Sequence, residues 1–498
     1  MADGLPVVLT ADPTLMADYP ILLDGMLVAS QTTTTPAPLI QALLMPRRDR
    51  RGIRARVAPL GLRRVEAALI DGGFTPEELA VVHPAQLSDA VGPDTRVVGV
   101  SCGEPTGAGM SSTTLSAVAG GRCYPAVAFG KLMRRIRRVL QAASAPAKVV
   151  VGGAGVWQVA GDPAAGRAFG IDHVITGYAE GNVARILRDL MAGGSLPDVI
   201  PGEPVGPGAI PRVRGASTMG VVEISRGCGL GCAFCTLARV PMAHLPRATV
   251  LADAKTNVTA GVRNLCVISE DIFRYGAAGL ETEPGALLSL LEALREIDGL
   301  GLIQTDHANI LSASCYSDEQ LARTRALMVG PTGQQFPWVN VGVETAAGAL
   351  LRANGGGAKM GRWADEEWGE VCRTQLRRLC RAGFFPFASL IVGLPGETDA
   401  DTRRTLDWVE SISAERLAVF PVLYAPVDGG AAPAPRRLQW QLIRACYRLN
   451  ARWMARVYWD NQRAGGVGPA KRCLMRVLGH GQILLWKTLL ALRTWSAE

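Results

Sequence analysis

No apolar run in the 498 residues reaches the length needed to span a bilayer. No hydrophobic signal opens the chain either, so a membrane anchor and a secretory route are both outside expectation. Charge of one sign is also scarce: a formal net charge of +8 and a pI near 9.0 are modest for this length. Much of that excess sits in Arg47-Arg48-Asp49-Arg50-Arg51 and Arg134-Arg135-Ile136-Arg137-Arg138. These runs read as a solvated loop and a solvated helix face, not as a nucleic-acid groove. An apolar share of 48% with 19% charged residues describes a globular chain, long enough for two or three domains. Eleven cysteines without an export signal point to the reducing cytoplasm, where thiolates stay available to a metal.

The chain is organised around Arg226-Gly227-Cys228-Gly229-Leu230-Gly231-Cys232-Ala233-Phe234-Cys235, a C-x3-C-x2-C loop behind the apolar run from Met219 to Ser225. A loop with three thiolates can wrap one corner of an iron–sulfur cube and leave the fourth iron open to chemistry. Structural zinc is the rival, but it wants four closed ligands, and only His244 follows nearby. Three buried free cysteines are the bland alternative.

Before the loop, short apolar strands alternate with helices. The first strand is Val7-Val8-Leu9-Thr10, and a helix opens at Pro59-Leu60. Strand Val97 to Ser101 precedes a helix from Ala126 to Ala142, strand Val149 to Val151 ends in Gly152-Gly153, and strand Val174-Ile175 ends in Gly177. That order predicts an α/β doubly wound parallel sheet over residues 1–205, with ligands at the strands' carboxyl ends. No G-x-G-x-x-G follows the first strand, so a dinucleotide fingerprint is missing. A proline-rich linker leads into residues 206–425, where six further strands predict a partial (β/α)6 barrel. Their ends carry Glu270-Asp271, Asp306, Glu344-Thr345 and Gly393-Leu394-Pro395-Gly396-Glu397. Residues 426–498 open with a Gly/Ala/Pro linker and continue as helices rich in Arg and Trp, expected over the barrel mouth.

The three-cysteine loop, with an aromatic just before its last cysteine, resembles the signature of radical S-adenosylmethionine (SAM) enzymes. A Rossmann-like domain directly before it resembles the cobalamin-binding half of cobalamin-dependent radical SAM methyltransferases, class B. The resemblance implies three cofactors: a 4Fe-4S cluster on Cys228, Cys232 and Cys235, SAM at the open iron, and cobalamin, working as methylcobalamin. It implies that Ser101, Gly152, Gly153, Gly177, Glu180 and Gly181 line the corrin site, although Tyr178-Ala179-Glu180-Gly181 departs from the family's usual Gly-Glu-Gly-Glu. There is no D-x-H-x-x-G, which implies that no histidine ligates cobalt. Arg63 or Arg64 at the start of the Leu60 helix is then expected against the lower corrin face, with solvation as the alternative.

At the second barrel strand the family has a glycine-rich segment ending in an acid, whereas this chain has Ser269-Glu270-Asp271. Glu270 is open to two roles, binding the SAM amine or reaching the open iron, and Asp271 is a candidate SAM contact. Glu344, Gly393 and Glu397 fall in segments similar to the family's ribose- and adenine-binding motifs. The stretches Leu9 to Pro20 and Pro59 to Arg64 resemble the branch containing the tryptophan 2-C-methyltransferase of thiopeptide antibiotic biosynthesis. That narrower resemblance implies methylation of carbon 2 of L-tryptophan's indole, with flavodoxin or ferredoxin as electron donor. A cobalamin-dependent enzyme using the 5′-deoxyadenosyl radical, for sp3-carbon methylation or ring rearrangement, is the alternative.

Overall fold

The structure is a computed structural model that describes residues 3–45, 52–426 and 434–496. The basic run at 47–51 and most of the linker after 426 therefore lie outside the described residues. Two compact units interleave in sequence. The first holds Met1–Ser112, Gly120–Val222 and Ala248–Val262, and the second holds Thr113–Ala119, Glu223–Arg247 and Arg263–Glu498. The expected boundaries at 205 and 425 thus differ from the units found. Residues 206–222 and most of the helix Arg247–Thr259 fold with the first unit, and the C-terminal helices fold with the second.

In the first unit, β1 (Val7–Ala11), β2 (Leu79–Val81), β3 (Val97–Ser101), β4 (Lys148–Gly152), β5 (His173–Thr176) and β6 (Val199–Pro201) form one parallel sheet. Its strand order is β2-β1-β3-β4-β5-β6. The near-continuous apolar strands are explained by burial on both faces. Val7, Leu9, Val97 and Val150 pack with Leu62 and Leu69 of α1 (Leu60–Asp71) and Ile186 of α3 (Val183–Met191). Val8, Val98, Val149 and Val151 pack on the other face with Phe129, Leu132 and Ile136 of α2 (Tyr124–Ala142). The chain leaves β1 towards β2 on one side and β3 on the other, so the sheet's topological switch point, where such folds bind ligands, lies between β1 and β3.

In the second unit, β7 (Leu265–Ile268) pairs in parallel with β8 (Ile303–Thr305). After a one-residue break at Asp306, β9 (His307–Asn309) starts a parallel sheet with β10 (Trp338–Glu344), β11 (Phe385–Val392) and β12 (Ala418–Leu423). The break is bridged by Asn340, whose backbone N–H donates to the Asp306 carbonyl at 2.9 Å and whose side-chain amide donates to its carboxylate at 3.0 Å. The helices α4 (Pro284–Arg295), α5 (Asp318–Val329), α6 (Gly357–Met360), α7 (Trp368–Arg381) and α8 (Asp399–Ser411) connect the strands. This is the α/β architecture the alternating pattern predicts.

The tail meets both ends of the strands: Arg436 donates to the Glu397 carbonyl at 3.2 Å at the carboxyl end, and the helices run on to the amino end. Of α9 (Arg437–Asn450), α10 (Met454–Ala464) and α11 (Pro469–Ser496), α10 docks at the amino ends of β10 and β11. Asp460 accepts the backbone N–H groups of Gln335 and Phe336, and Trp453 packs on Phe336 and Phe385 at ring distances of 6.2 Å. The tryptophans here are packing groups, as Arg472 stacked over Trp459 also shows. Among the described residues, no helix is long and apolar enough to cross a membrane.

Candidate active site

The cysteine loop is shaped before any ligand enters it. Gly227, Gly229 and Gly231 all take positive φ (75°, 72° and 78°), a conformation that side chains rarely adopt. These alternating left-handed residues curl the chain so that the Cys228 N–H donates to Val240 O at 2.9 Å and the Gly231 N–H to Ala238 O at 3.0 Å. Arg274 donates to the Cys228 carbonyl at 2.8 Å, and the Ala233 N–H donates to Asn354 O at 2.9 Å. Upstream, Arg226 grips Glu223 through two hydrogen bonds of 2.9 and 3.0 Å.

All three thiols are free; Cys232 is buried, and Cys228 and Cys235 are half-buried. Burial pushes each thiol's pKa up, that of Cys228 to about 11, while the Lys359 ammonium pulls all three down. Metal ligation requires the thiolate, so a cation beside the loop favours the binding form. Among the described residues, no three His, Cys, Asp or Glu side chains converge closely enough for a single ion. Thiols on separate corners of a cube stand farther apart than ligands of one ion, so this donor set fits a cluster better than zinc.

Adjacent acids at the end of β7 have opposite fates. Asp271 is fully buried, and its carboxylate accepts from the Asn309 N–H at 3.3 Å, the Asn309 side chain at 3.1 Å and the Ser312 hydroxyl at 2.8 Å. Burial still pushes its pKa up to about 6 despite those donors. Asp271 is thereby committed to holding β9 and the turn after it, which leaves little of it for the SAM contact the sequence suggested. Glu270, only partly buried, accepts no hydrogen bond among the described residues. Burial raises its pKa as well, opposed by His307. His307 in turn pairs with Asp306 at 3.1 Å. Burial disfavours the charged imidazole, but Asp306 and then Glu270 outweigh it and push its pKa up to about 9.

At the end of β10, Glu344 takes φ 65°, which costs a residue with a side chain about 1–3 kcal/mol. A register shift between Gly342 and Glu344 accompanies it. Its carboxylate is buried against the ammonium of Lys359 on α6. Lys359 was missed by sequence reasoning, since one lysine in a Gly/Ala stretch carries no local signal. Glu397 bends back onto its own loop and accepts from the Gly393 N–H at 2.5 Å, the Leu394 N–H at 3.1 Å and the Thr402 hydroxyl at 2.5 Å. It shapes the turn at Gly393, whose φ is 89°.

The first unit brings its expected residues to the carboxyl ends of its sheet. Ser101 ends β3, and Gly152 ends β4. Gly153 has φ 102°, and a Cβ there would meet Cys102 O at 2.7 Å and Ser101 Oγ at 2.9 Å. Gly177 follows β5 with φ 74° and open space around it, ahead of half-buried Glu180 and of Gly181, where a Cβ would meet Glu203 O at 2.8 Å. An edge whose glycines leave room at these positions fits a broad, flat ligand such as a corrin. Buried Asp12 follows β1 directly at the switch point, and sequence reasoning did not single it out.

Arg63 and Arg64 are buried and not solvated. Arg63 spends its guanidinium on Glu66 (2.8 Å), Ala216 O (3.0 Å), Ala55 O (2.8 Å) and Arg56 O (3.2 Å). Arg64 pairs with buried Asp253 at 2.6 Å and donates to Pro211 O at 2.6 Å. Both ties hold α1 to the segments around 211–216 and 253. Burying a guanidinium demands such partners, and they fix both arginines in place.

No family model matches the chain. Among curated proteins it is 29% identical over 222 residues to the ribosomal protein uS12 methylthiotransferase RimO of Bradyrhizobium sp. (strain BTAi1), covering 43% of this chain and 46% of that one. It is 30% identical over 216 residues to RimO of Ruegeria sp. (strain TM1040), covering 42% and 44%. The chain thus spans less than half the length of these relatives. Among solved structures it is similar to the radical S-adenosylmethionine methyltransferase TsrM from Kitasatospora setae with cobalamin and a 4Fe-4S cluster bound, with a TM-score of 0.54 and 16% identity, covering 85% of this chain and 77% of that one. TsrM with tryptophan substrate and the SAM analogue aza-SAM gives a TM-score of 0.53, with 85% and 75% covered. The two α/β units together therefore have the fold of a radical SAM methyltransferase structure, and at this identity the likeness establishes the fold.

Proposed function

We propose that the chain is a cobalamin- and 4Fe-4S-dependent SAM methyltransferase acting on a carbon, with carbon 2 of the L-tryptophan indole as the substrate position. One observation carries the reading: a pre-shaped loop with three free thiols, backed by a buried ammonium. In this reading Cys228, Cys232 and Cys235 hold the cluster. Glu270, the uncommitted acid, takes the SAM amine or the open iron, and Asp271 keeps the wall behind it in place. Glu344, Gly393 and Glu397 shape the SAM-binding strand ends. Ser101, Gly152, Gly153, Gly177, Glu180 and Gly181 form the corrin edge. When bound, cobalamin and the cluster supply a methyl carrier and low-potential electrons, and the protein positions them and excludes water. A flavodoxin- or ferredoxin-type protein is the proposed electron donor.

The fold shared with a tryptophan-bound methyltransferase supports this reading. A second is favoured by the sequence likeness to RimO, transfer of a methylthio group. Anaerobic incubation with methyl-labelled SAM, reductant and tryptophan separates the possibilities. Label in methyltryptophan, with S-adenosylhomocysteine and no 5′-deoxyadenosine, is the expected result. Stoichiometric 5′-deoxyadenosine points to a radical route, and label accompanied by a new sulfur in the product points to methylthiolation. No label transfer to tryptophan would remove the substrate assignment.

A further inference from the structure

Among the described residues Lys359 is the strongly buried ammonium of the candidate site, only 6% exposed, and so far it has no role beyond backing the cysteine loop. Two contacts fix its position. Gly342 leaves room for it, since a Cβ there would meet both the Lys359 ammonium and the Glu344 carboxylate. The turn ahead of α6 is seated on the cysteine loop: a Cβ at Gly355 would meet Gly231 O at 2.5 Å, Ala233 N at 3.0 Å and Cys232 Cα at 3.4 Å. The Ala233 N–H to Asn354 O bond ties the same two segments together.

α6 starts directly after that seated turn, so the buried ammonium is carried by the segment that packs on the cysteine loop. A cluster on three thiolates gains one negative charge when it takes up an electron, and its potential follows the charges around it. We propose that Lys359, held by Glu344, is a redox-positioning residue that stabilises the reduced state of the cluster on Cys228, Cys232 and Cys235. The inference rests on the cluster assignment under Proposed function. Glu344 acts through Lys359, and its left-handed backbone aims its carboxylate at the ammonium.

The test is an anaerobic redox titration of the reconstituted full-length chain, following the cluster's absorbance and its reduced-state paramagnetic signal with dithionite as the one-electron donor. Lys359→Met is expected to lower the cluster's reduction equilibrium constant at least tenfold, a shift of about 59 mV to more negative potential for a one-electron couple. Lys359→Arg, which keeps the charge, is expected to stay within threefold of the wild type. Glu344→Gln is expected to shift the potential the opposite way. Full iron content with an unchanged potential in Lys359→Met would overturn the inference and leave the cluster assignment standing. Loss of the cluster in Lys359→Met but not in Lys359→Arg would make Lys359 a loop-folding residue and also overturn it. A wild-type chain that binds no iron would overturn the cluster assignment itself.

Discussion

The carboxyl ends of the strands in the two units are built from different materials. In the first unit most of them are small, Ser101, Gly152, Gly153 and Gly177, with the acids Asp12 and Glu180 beside them. In the second they are crowded with charge: Glu270, Asp271, Asp306, His307, Glu344 and Lys359. In parallel α/β folds ligands bind at this end of the strands. The side chains there then decide what can bind, and here they suit a large flat ligand on one sheet and a small zwitterion with a metal cluster on the other.

The sharpest way to break this contrast is at the cysteines. Cys232→Ala should abolish the visible absorbance of the reconstituted cluster and all SAM turnover, while cobalamin uptake persists. An unchanged spectrum would remove the distinction between the two ends. The converse variant is Gly153→Val. It forces a branched side chain into a left-handed position and against Cys102 and Ser101, so cobalt retention should fall at least tenfold with iron content intact.

Arg64→Met should destabilise the first unit by about 3–5 kcal/mol, because Asp253 is left buried and unpaired. The absorption spectrum of bound cobalamin should not change, whereas a shifted spectrum would return the arginine to the corrin face. The adjacent acids offer a finer comparison. Asp271→Ala strands the donors of Asn309 and Ser312 and should cost about 1–3 kcal/mol per group left without a partner, read as a lower Tm. Glu270→Gln should leave Tm unchanged and alter SAM binding instead.

The smallest effect is a pH dependence. The folded-state pKa of His307 is raised above its unfolded value, so its contribution is complete below about 6.5 and fades as pH rises through about 9. The imidazole is 46% exposed, so solvent screening keeps the Tm change small. His307→Gln should flatten the Tm profile between those values, and an identical profile in the variant would remove His307 as its source.

These contrasts also show what could be read from sequence and what could not. The cysteine loop was legible because its ligands and turn glycines are neighbours in the chain. The strand–helix alternation was legible because burial on both faces leaves apolar runs such as Val97 to Val100 and Val149 to Val151. The partners of Arg63 and Arg64 could not be read, because those at 211–216 and 253 come from distant segments that no local pattern ties to α1. Lys359 was invisible for the same reason: its meaning comes from Glu344 and from the turn at Gly355 that meets the cysteine loop. Asp271 looked like a ligand contact because acids at strand ends often are, yet three donors from β9 and the residues after it claim it. Part of the C-terminal segment does reach the carboxyl ends, where Arg436 meets Glu397, whereas Asp460 and Trp453 find partners at the amino ends that only the three-dimensional structure supplies.

Cofactor content tests the central claim most directly. The full-length chain, reconstituted without oxygen with iron, sulfide and hydroxocobalamin and then freed of excess reagents, should retain about four irons and one cobalt per chain. Retention of neither would contradict the account.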